Sequence, residues 1–149
     1  MSGVVYLLNG PNLNLLGQRE PHIYGSATLK DVEEQCQAIA ARHGFELIVR
    51  QTNREYEMVD WIQEARQSAG LVINPAGFSY HAVPVLDALK MCECPIVEVH
   101  ISNIHKRAET EASWRADSIM SAAATGVIAG LGTHGYALAL EFIAAKIKG

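Results

Sequence analysis

A chain of 149 residues with 49% hydrophobic and 19% charged residues is long enough to bury a single core and far from the compositions that stay disordered. Its net charge of −4 without a Lys/Arg run gives no electrostatic footprint for nucleic acid or an anionic membrane, so the expected partner is a small solute. No apolar segment approaches the ~20 residues that span a bilayer, and the three cysteines lack zinc-ligand spacing, which predicts a cytoplasmic protein with reduced thiols.

Residues 4–8 (VVYLL) read as a first strand. They pass into NGPNLNLLGQREPHIYG, residues 9–25, with three glycines, two prolines, three asparagines and no apolar periodicity; a loop of that length in a compact domain is usually functional. Residues 28–44 predict a helix with Thr28 as N-cap, Asp31 three residues on, and Leu29, Val32, Cys36, Ile39 and Ala40 on one face before Gly44. FELIVRQ (45–51) is a second strand. Residues 55–69 form a second helix, buried through Met58, Val59, Ile62 and Ala65 and closed by Gly70, and LVIN (71–74) is a third strand. A third helix spans about 81–91 and starts near Val83, because Pro84 is tolerated only in a first turn. PIVEVHI (95–101) is a fourth strand, 102–121 a polar stretch that is partly helical at best, GVIAGL (126–131) a fifth strand and GYALALEFIAAKIK (135–148) the closing helix.

Strands separated by single helices imply parallel crossovers, hence an α/β fold: one domain over 1–149 with a doubly wound five-stranded parallel sheet. In such sheets ligands bind beyond the carboxyl ends of the strands at a switch point. That rule selects the loop after the first strand, residues 74–80 and residues 98–103.

Gly130-Leu-Gly132-Thr-His-Gly135 has the spacing of a dinucleotide fingerprint, but that motif belongs to a first βαβ unit. Its glycines are expected to serve a tight turn and close helix–sheet packing. The six histidines show no metal-ligand spacing, so no metal is expected. Arg19 and Tyr24 stand in a loop held by Pro11, Gly17, Pro21 and Gly25, so both side chains can enter one pocket. A phenol is ionised about one part in a thousand at pH 7, and a desolvated guanidinium beside it can make it a base; the alternative is a loop tyrosine packed on an arginine. His100 has Glu98 two residues before it on the same strand face. Such a carboxylate fixes the imidazole for general acid work, or the pair is a satisfied, partly buried histidine. The backbone N–H groups of Ile101 and Ser102 can hold a carboxylate, and Arg115 can add a charge. A base, an acid and anion holders at one sheet edge suggest proton transfer on a small acidic substrate.

With these residues assembled, the chain resembles the type II 3-dehydroquinate dehydratases over nearly its whole length. NGPNLNLLGQREPHIYG is similar to that family's N-terminal signature, and EVHISNIHKR followed by ATGVIAGLG to its C-terminal half. The resemblance implies a flavodoxin-like fold, trimers packed into dodecamers, no metal or organic cofactor, and dehydration of 3-dehydroquinate by anti elimination through an enolate. It implies that Tyr24 is the base for the C2 proton, that Arg19 favours its tyrosinate, and that Asn12 helps hold a water that stabilises the enolate. His100, oriented by Glu98, would protonate the leaving C1 hydroxyl. Asn74, Ile101, Ser102 and Arg115 would bind substrate, Asp87 would come from a neighbouring subunit, and the opening loop would be a lid.

The chain also departs from the family pattern. After the third strand the family reads N-P-x-A-x-T-H-x-S, and this chain reads NPAGFSYHA. Tyr80 stands in the histidine's place, and His81 beside it is a second candidate for the same substrate contact. Tyr56 replaces a usual glycine, Gln63 a usual histidine, and the stretch from Arg107 to Arg115 is longer than usual. The change at Tyr80 and His81 predicts weakened binding or turnover on 3-dehydroquinate and a better fit for a substrate altered at the ring positions that side chain contacts. Two alternatives follow: a diverged relative acting on another cyclic polyhydroxy acid, or a non-catalytic binding module of the same fold.

Overall fold

In the computed structural model, which describes residues 3–149, the apolar runs become strands β1 (Val4–Asn9), β2 (Glu46–Gln51), β3 (Gly70–Asn74), β4 (Ile96–His100) and β5 (Gly126–Ala129). They form one parallel sheet in the order β2-β1-β3-β4-β5. Helices α1 (Pro21–Tyr24), α2 (Leu29–His43), α3 (Glu55–Ala65), α4 (Val83–Lys90), α5 (Ile104–Thr110) and α6 (His134–Lys148) stand between and after the strands. Side chains alternate along each strand. Val5, Leu7, Val72, Val97 and Val99 therefore meet Val32 and Cys36 of α2 and Leu140 and Ile143 of α6 on one face, while Tyr6, Leu8, Leu71 and Ile73 meet Met58 and Ile62 of α3 and Val85 and Leu89 of α4 on the other. Because β1, β3 and β4 are covered on both faces, they read as near-continuous apolar runs. Among the described residues no helix is long and apolar enough to cross a membrane.

Local signals set the helix ends where they are strong. Thr28 Oγ1 accepts from the Asp31 N–H at 3.1 Å and Asp31 accepts from the Thr28 N–H at 3.0 Å, a reciprocal cap that starts α2, and Gly44 (φ 79°) ends it. Pro84 lies in the first turn of α4, as its missing N–H requires. α3 is shorter than its periodicity suggests. The Ala69 N–H is already bound to the Val4 carbonyl at 2.8 Å, and Gly70 pairs with Val5 as the first residue of β3, so the sheet ladder takes residues from the helix. In 102–121, α5 and two short 3₁₀ turns (Ser113–Ala116, Ile119–Ala122) form; α5 buries only Ile104 and is started by the Asn103 side chain, which accepts from the His105 and Lys106 N–H groups.

The long opening loop is also ordered. A 3₁₀ turn (Leu13–Leu15) and α1 fill it, and Leu13 and Leu16 are buried in the core beneath it. Gly10 donates to the Asn74 carbonyl at 2.8 Å, and a Cβ there would lie 2.4 Å from the Pro75 carbonyl oxygen. Only glycine lets the exits of β1 and β3 approach this closely. At the far end, Gly130 (φ 90°) turns tightly against Asn103, and a Cβ on Gly135 would stand 3.3 Å from Val99 and Ile128, the turn and close packing expected of that motif.

Two buried polar groups join the elements at the carboxyl edge. The Tyr136 hydroxyl of α6 donates to Asn9 Oδ1 at 2.7 Å and accepts from Asn74 Nδ2 at 2.8 Å, bridging neighbouring residues of β1 and β3. Glu98 of β4, fully buried, takes His100 Nε2 at 2.5 Å and the hydroxyls of Ser118 and Ser121 at 2.6 and 2.7 Å. Burial pushes its carboxyl up, but these three hydrogen bonds outweigh that and hold it below the usual carboxylate range.

Tyr136→Phe leaves Asn9 Oδ1 and Asn74 Nδ2 without that partner in a dry site, and should lower the unfolding free energy by about 1–3 kcal/mol, read from the urea midpoint at constant slope. A carboxyl more acidic folded than unfolded adds stability above its unfolded value of about 4.3 and loses it as pH falls through the folded value. Stability should therefore decline below about pH 4, and Glu98→Gln should flatten that decline while lowering stability at pH 7. Equal acid slopes in both proteins would refute the assignment.

Candidate active site

The carboxyl ends of β1, β3 and β4 open onto a cleft of about 250 Å³, between the loop after β1, the 3₁₀ turn Ala76–Tyr80 and the chain after β4. The strand order reverses here, since β1 has β2 on one side and β3 on the other. Asn12, Arg19, Tyr24, Asn74, Tyr80, His100, Ile101, Ser102 and Arg115 all line it, together with Arg107. A wider groove of about 1140 Å³ shares Tyr24, Ile101, Ser102 and Arg107 with the cleft and runs on past His22, Lys106 and the turn at Gly130–His134.

Tyr24 ends α1, half-buried between the two cavities. Its hydroxyl accepts from Arg107 Nη1 at 2.9 Å, and the same nitrogen donates to Ser102 Oγ at 3.1 Å. The remaining donors of Arg107 engage Glu111 one turn further along the chain from α5, at 2.7 and 3.2 Å. These Glu111 bonds, against the opposing effect of burial, raise the Arg107 guanidinium above its ordinary range and keep it charged. Arg19 occupies a different place: its guanidinium lies over the Tyr24 ring, 5.0 Å from the centroid, and bonds Glu20 at 3.0 Å. Both guanidinium groups lie over the ring, Arg107 at 5.5 Å from its centroid, but only Arg107 also bonds the oxygen. Proximity in sequence brings Arg19 to the ring, but the partner of the hydroxyl comes from another element, which spacing does not single out. A signal for it does exist: Arg107 follows the cap Asn103 by four residues, which turns a basic side chain back toward the end of β4.

His100 sits 5% exposed at the end of β4, with Nε2 on Glu98. The ionised carboxylate fixes the tautomer, so Nε2 carries the proton and the opposite ring nitrogen is left for a ligand. Asn74 is locked from both ends, donating to Tyr136 and accepting from the Ala76 N–H at 3.2 Å. Asn12 holds a left-handed conformation (φ 70°) that asparagine tolerates, and its N–H donates to Asn53 Oδ1 at 2.9 Å.

Tyr80 is the last residue of the 3₁₀ turn and His81 follows it with an extended φ of −157°, so the two side chains leave the backbone in different directions. Tyr80 faces the cleft and donates to the Arg115 carbonyl at 3.1 Å, while His81 is exposed and does not line it. Arg115 stands over Trp114, its guanidinium 4.6 Å from the ring centroid, with Nε 3.7 Å from Glu111. Asp87 is exposed on α4, outside the cleft of its own chain. Among the described residues no three His, Cys, Asp or Glu side chains gather closely enough to hold a metal ion.

The cleft thus holds a phenol against a fixed cation, an imidazole against a fixed anion, and amide and guanidinium groups around them, a set suited to removing one proton and delivering another. A family model for class II dehydroquinases matches residues 3–144. The 3-dehydroquinate dehydratase 2 of Agrobacterium fabrum is 58% identical over 138 residues, covering 92% of this chain and 91% of its own. The 3-dehydroquinate dehydratase of Streptomyces avermitilis is 57% identical over 143 residues, covering 95% and 87%. Among solved structures, the type II dehydroquinase of Propionibacterium acnes superposes with a TM-score of 0.89 at 44% identity, over 97% of this chain and 98% of that one. Since the match runs through sheet, opening loop and polar segment alike, the chain belongs to the class II dehydroquinase family.

Proposed function

We propose that this chain is a hydro-lyase that dehydrates 3-dehydroquinate to 3-dehydroshikimate. The observation that carries the reading is the Tyr24 hydroxyl, held 2.9 Å from Arg107 in the cleft that His100 also lines. Tyr24, as phenolate, takes a proton from the carbon beside the ketone, and the electron pair moves onto the carbonyl oxygen as an enolate. Arg107 at the oxygen and Arg19 over the ring offset the charge on the phenolate before transfer. The enolate then expels the C1 hydroxyl, which leaves as water with a proton from His100, and the carbonyl re-forms in conjugation. The Glu98 carboxylate balances the imidazolium charge that this step uses. A water held by Asn12 stabilises the enolate oxygen, and Asn74, Ile101, Ser102 and Arg115 bind the substrate. The reading needs no metal or organic cofactor, since base, acid and charge stabilisation all come from side chains.

Asp87 has no role in its own cleft and acts in this reading from a neighbouring copy, which makes the working unit a trimer, or a dodecamer built from trimers. The cytoplasm is its proposed place of work, supported by three free cysteines, of which burial pushes Cys36 up to about 12 and so makes it unreactive.

Following enone formation from 3-dehydroquinate by absorbance, Tyr24→Phe should lower kcat at least about 100-fold with an unchanged melting temperature. Arg107→Met should cost kcat about 10²–10³-fold, and more than Arg19→Met, because it removes the donor on the reacting oxygen. A Tyr24→Phe protein of near wild-type rate would overturn the assignment. In sedimentation at micromolar concentration the protein should run as a trimer or a multiple of it, with Asp87→Asn reducing kcat/KM; a fully active monomer would refute the shared site.

A further inference from the structure

Tyr80 and Trp114 come from different segments and meet edge to face, ring centroids 4.9 Å apart at 78°. The Arg115 guanidinium also lies against the indole, 4.6 Å from its centroid. Trp114 itself is 49% exposed, so it adds little to the core, and its aromatic and cation interactions go to two residues of the cleft wall. The Tyr80 hydroxyl spends its only proton on the Arg115 carbonyl at 3.1 Å. Burial raises the Tyr80 phenol above its ordinary value, against Arg115 and Arg107, so that proton stays in place at neutral pH. A phenol has one proton and two lone pairs. With the proton committed, Tyr80 has only lone pairs to offer a molecule in the cleft, while the neighbouring guanidinium has only donors.

We propose that Trp114 is a positioning residue that holds Tyr80 as a hydrogen-bond acceptor beside Arg115 as a donor, so that this wall selects a ring substrate presenting a hydroxyl proton to Tyr80 and an anionic or carbonyl oxygen to Arg115. The selection rests on the dehydratase reading above. It is discriminating because a buried group built to pair with a hydroxyl is left unpaired by an analogue that lacks it.

The test uses the full chain with 3-dehydroquinate and its set of analogues each lacking one ring hydroxyl. Trp114→Ala should raise KM about tenfold with kcat within about twofold, as expected when an aromatic pair and a cation–π pair are removed together, and Trp114→Phe should recover most of it. One analogue should be penalised by the wild type and not by Tyr80→Phe, and Trp114→Ala should cost less in the Tyr80→Phe background than alone. The brace is also readable without substrate. In a Trp61→Phe background, Tyr80→Ala should shift the Trp114 emission to the red and increase its quenching by acrylamide. An unchanged emission overturns the brace. An active wild type whose Trp114→Ala variant keeps its KM, or whose analogue penalties ignore Tyr80→Phe, overturns the positioning role alone. A wild type inactive on 3-dehydroquinate overturns the dehydratase reading and the selection with it.

Discussion

Glu98 is a carboxylate with no exposure in the interior of a parallel sheet, and such a charge is tolerable only when its lone pairs are met. Its partners are His100 on the same strand and Ser118 and Ser121 from the chain that leaves β4 and returns. Meeting them draws the polar segment back over the carboxyl edge, where the turn carrying Arg115 stands three residues before Ser118. Arg115 approaches Glu111, Glu111 holds Arg107, and Arg107 bonds the phenol oxygen of Tyr24. One buried charge therefore holds the imidazole directly, and the polar segment it anchors also carries the ion pairs around the phenol.

The two sides of the cleft differ in how firmly they are held. The His100 side rests on β4, on Asn74 clamped by Tyr136, and on the close approach at Gly10 that joins the exits of β1 and β3. The Tyr24 side is a single helical turn with no fully buried residue, entered through Glu20 in a left-handed conformation (φ 42°) and tied down by side chains. Segments with little buried apolar surface open at low free energy. The Tyr24 side therefore opens at lower free energy than the His100 side.

What the sequence makes legible is what local patterns encode. The strand runs, the Thr28–Asp31 cap and the placement of Pro84 each follow from a few neighbouring residues, and the alternation of strand and helix carries the parallel sheet. The misses share one cause, competition from residues distant in the chain. α3 loses its last turn to the pairing of Ala69 with β1. α5 gives no periodic signal because only Ile104 is buried. The spacing of Arg19 and Tyr24 rightly brings them together, but which cation meets the hydroxyl depends on α5 crossing back to α1. Tyr80 and His81 are inseparable in sequence, and only the backbone turn gives one to the cleft and the other to solvent.

Glu111 binds Arg107 and approaches Arg115, so the chain between the two arginines is closed on itself by side chains. Lengthening a segment whose ends are fixed costs little, about 0.6 kcal/mol for each doubling. Added length here therefore costs little chain entropy while Glu111 keeps the two arginines close. Such a segment can change its outer surface without drawing on the core, and Trp114 stands on that half-exposed rim of the cleft.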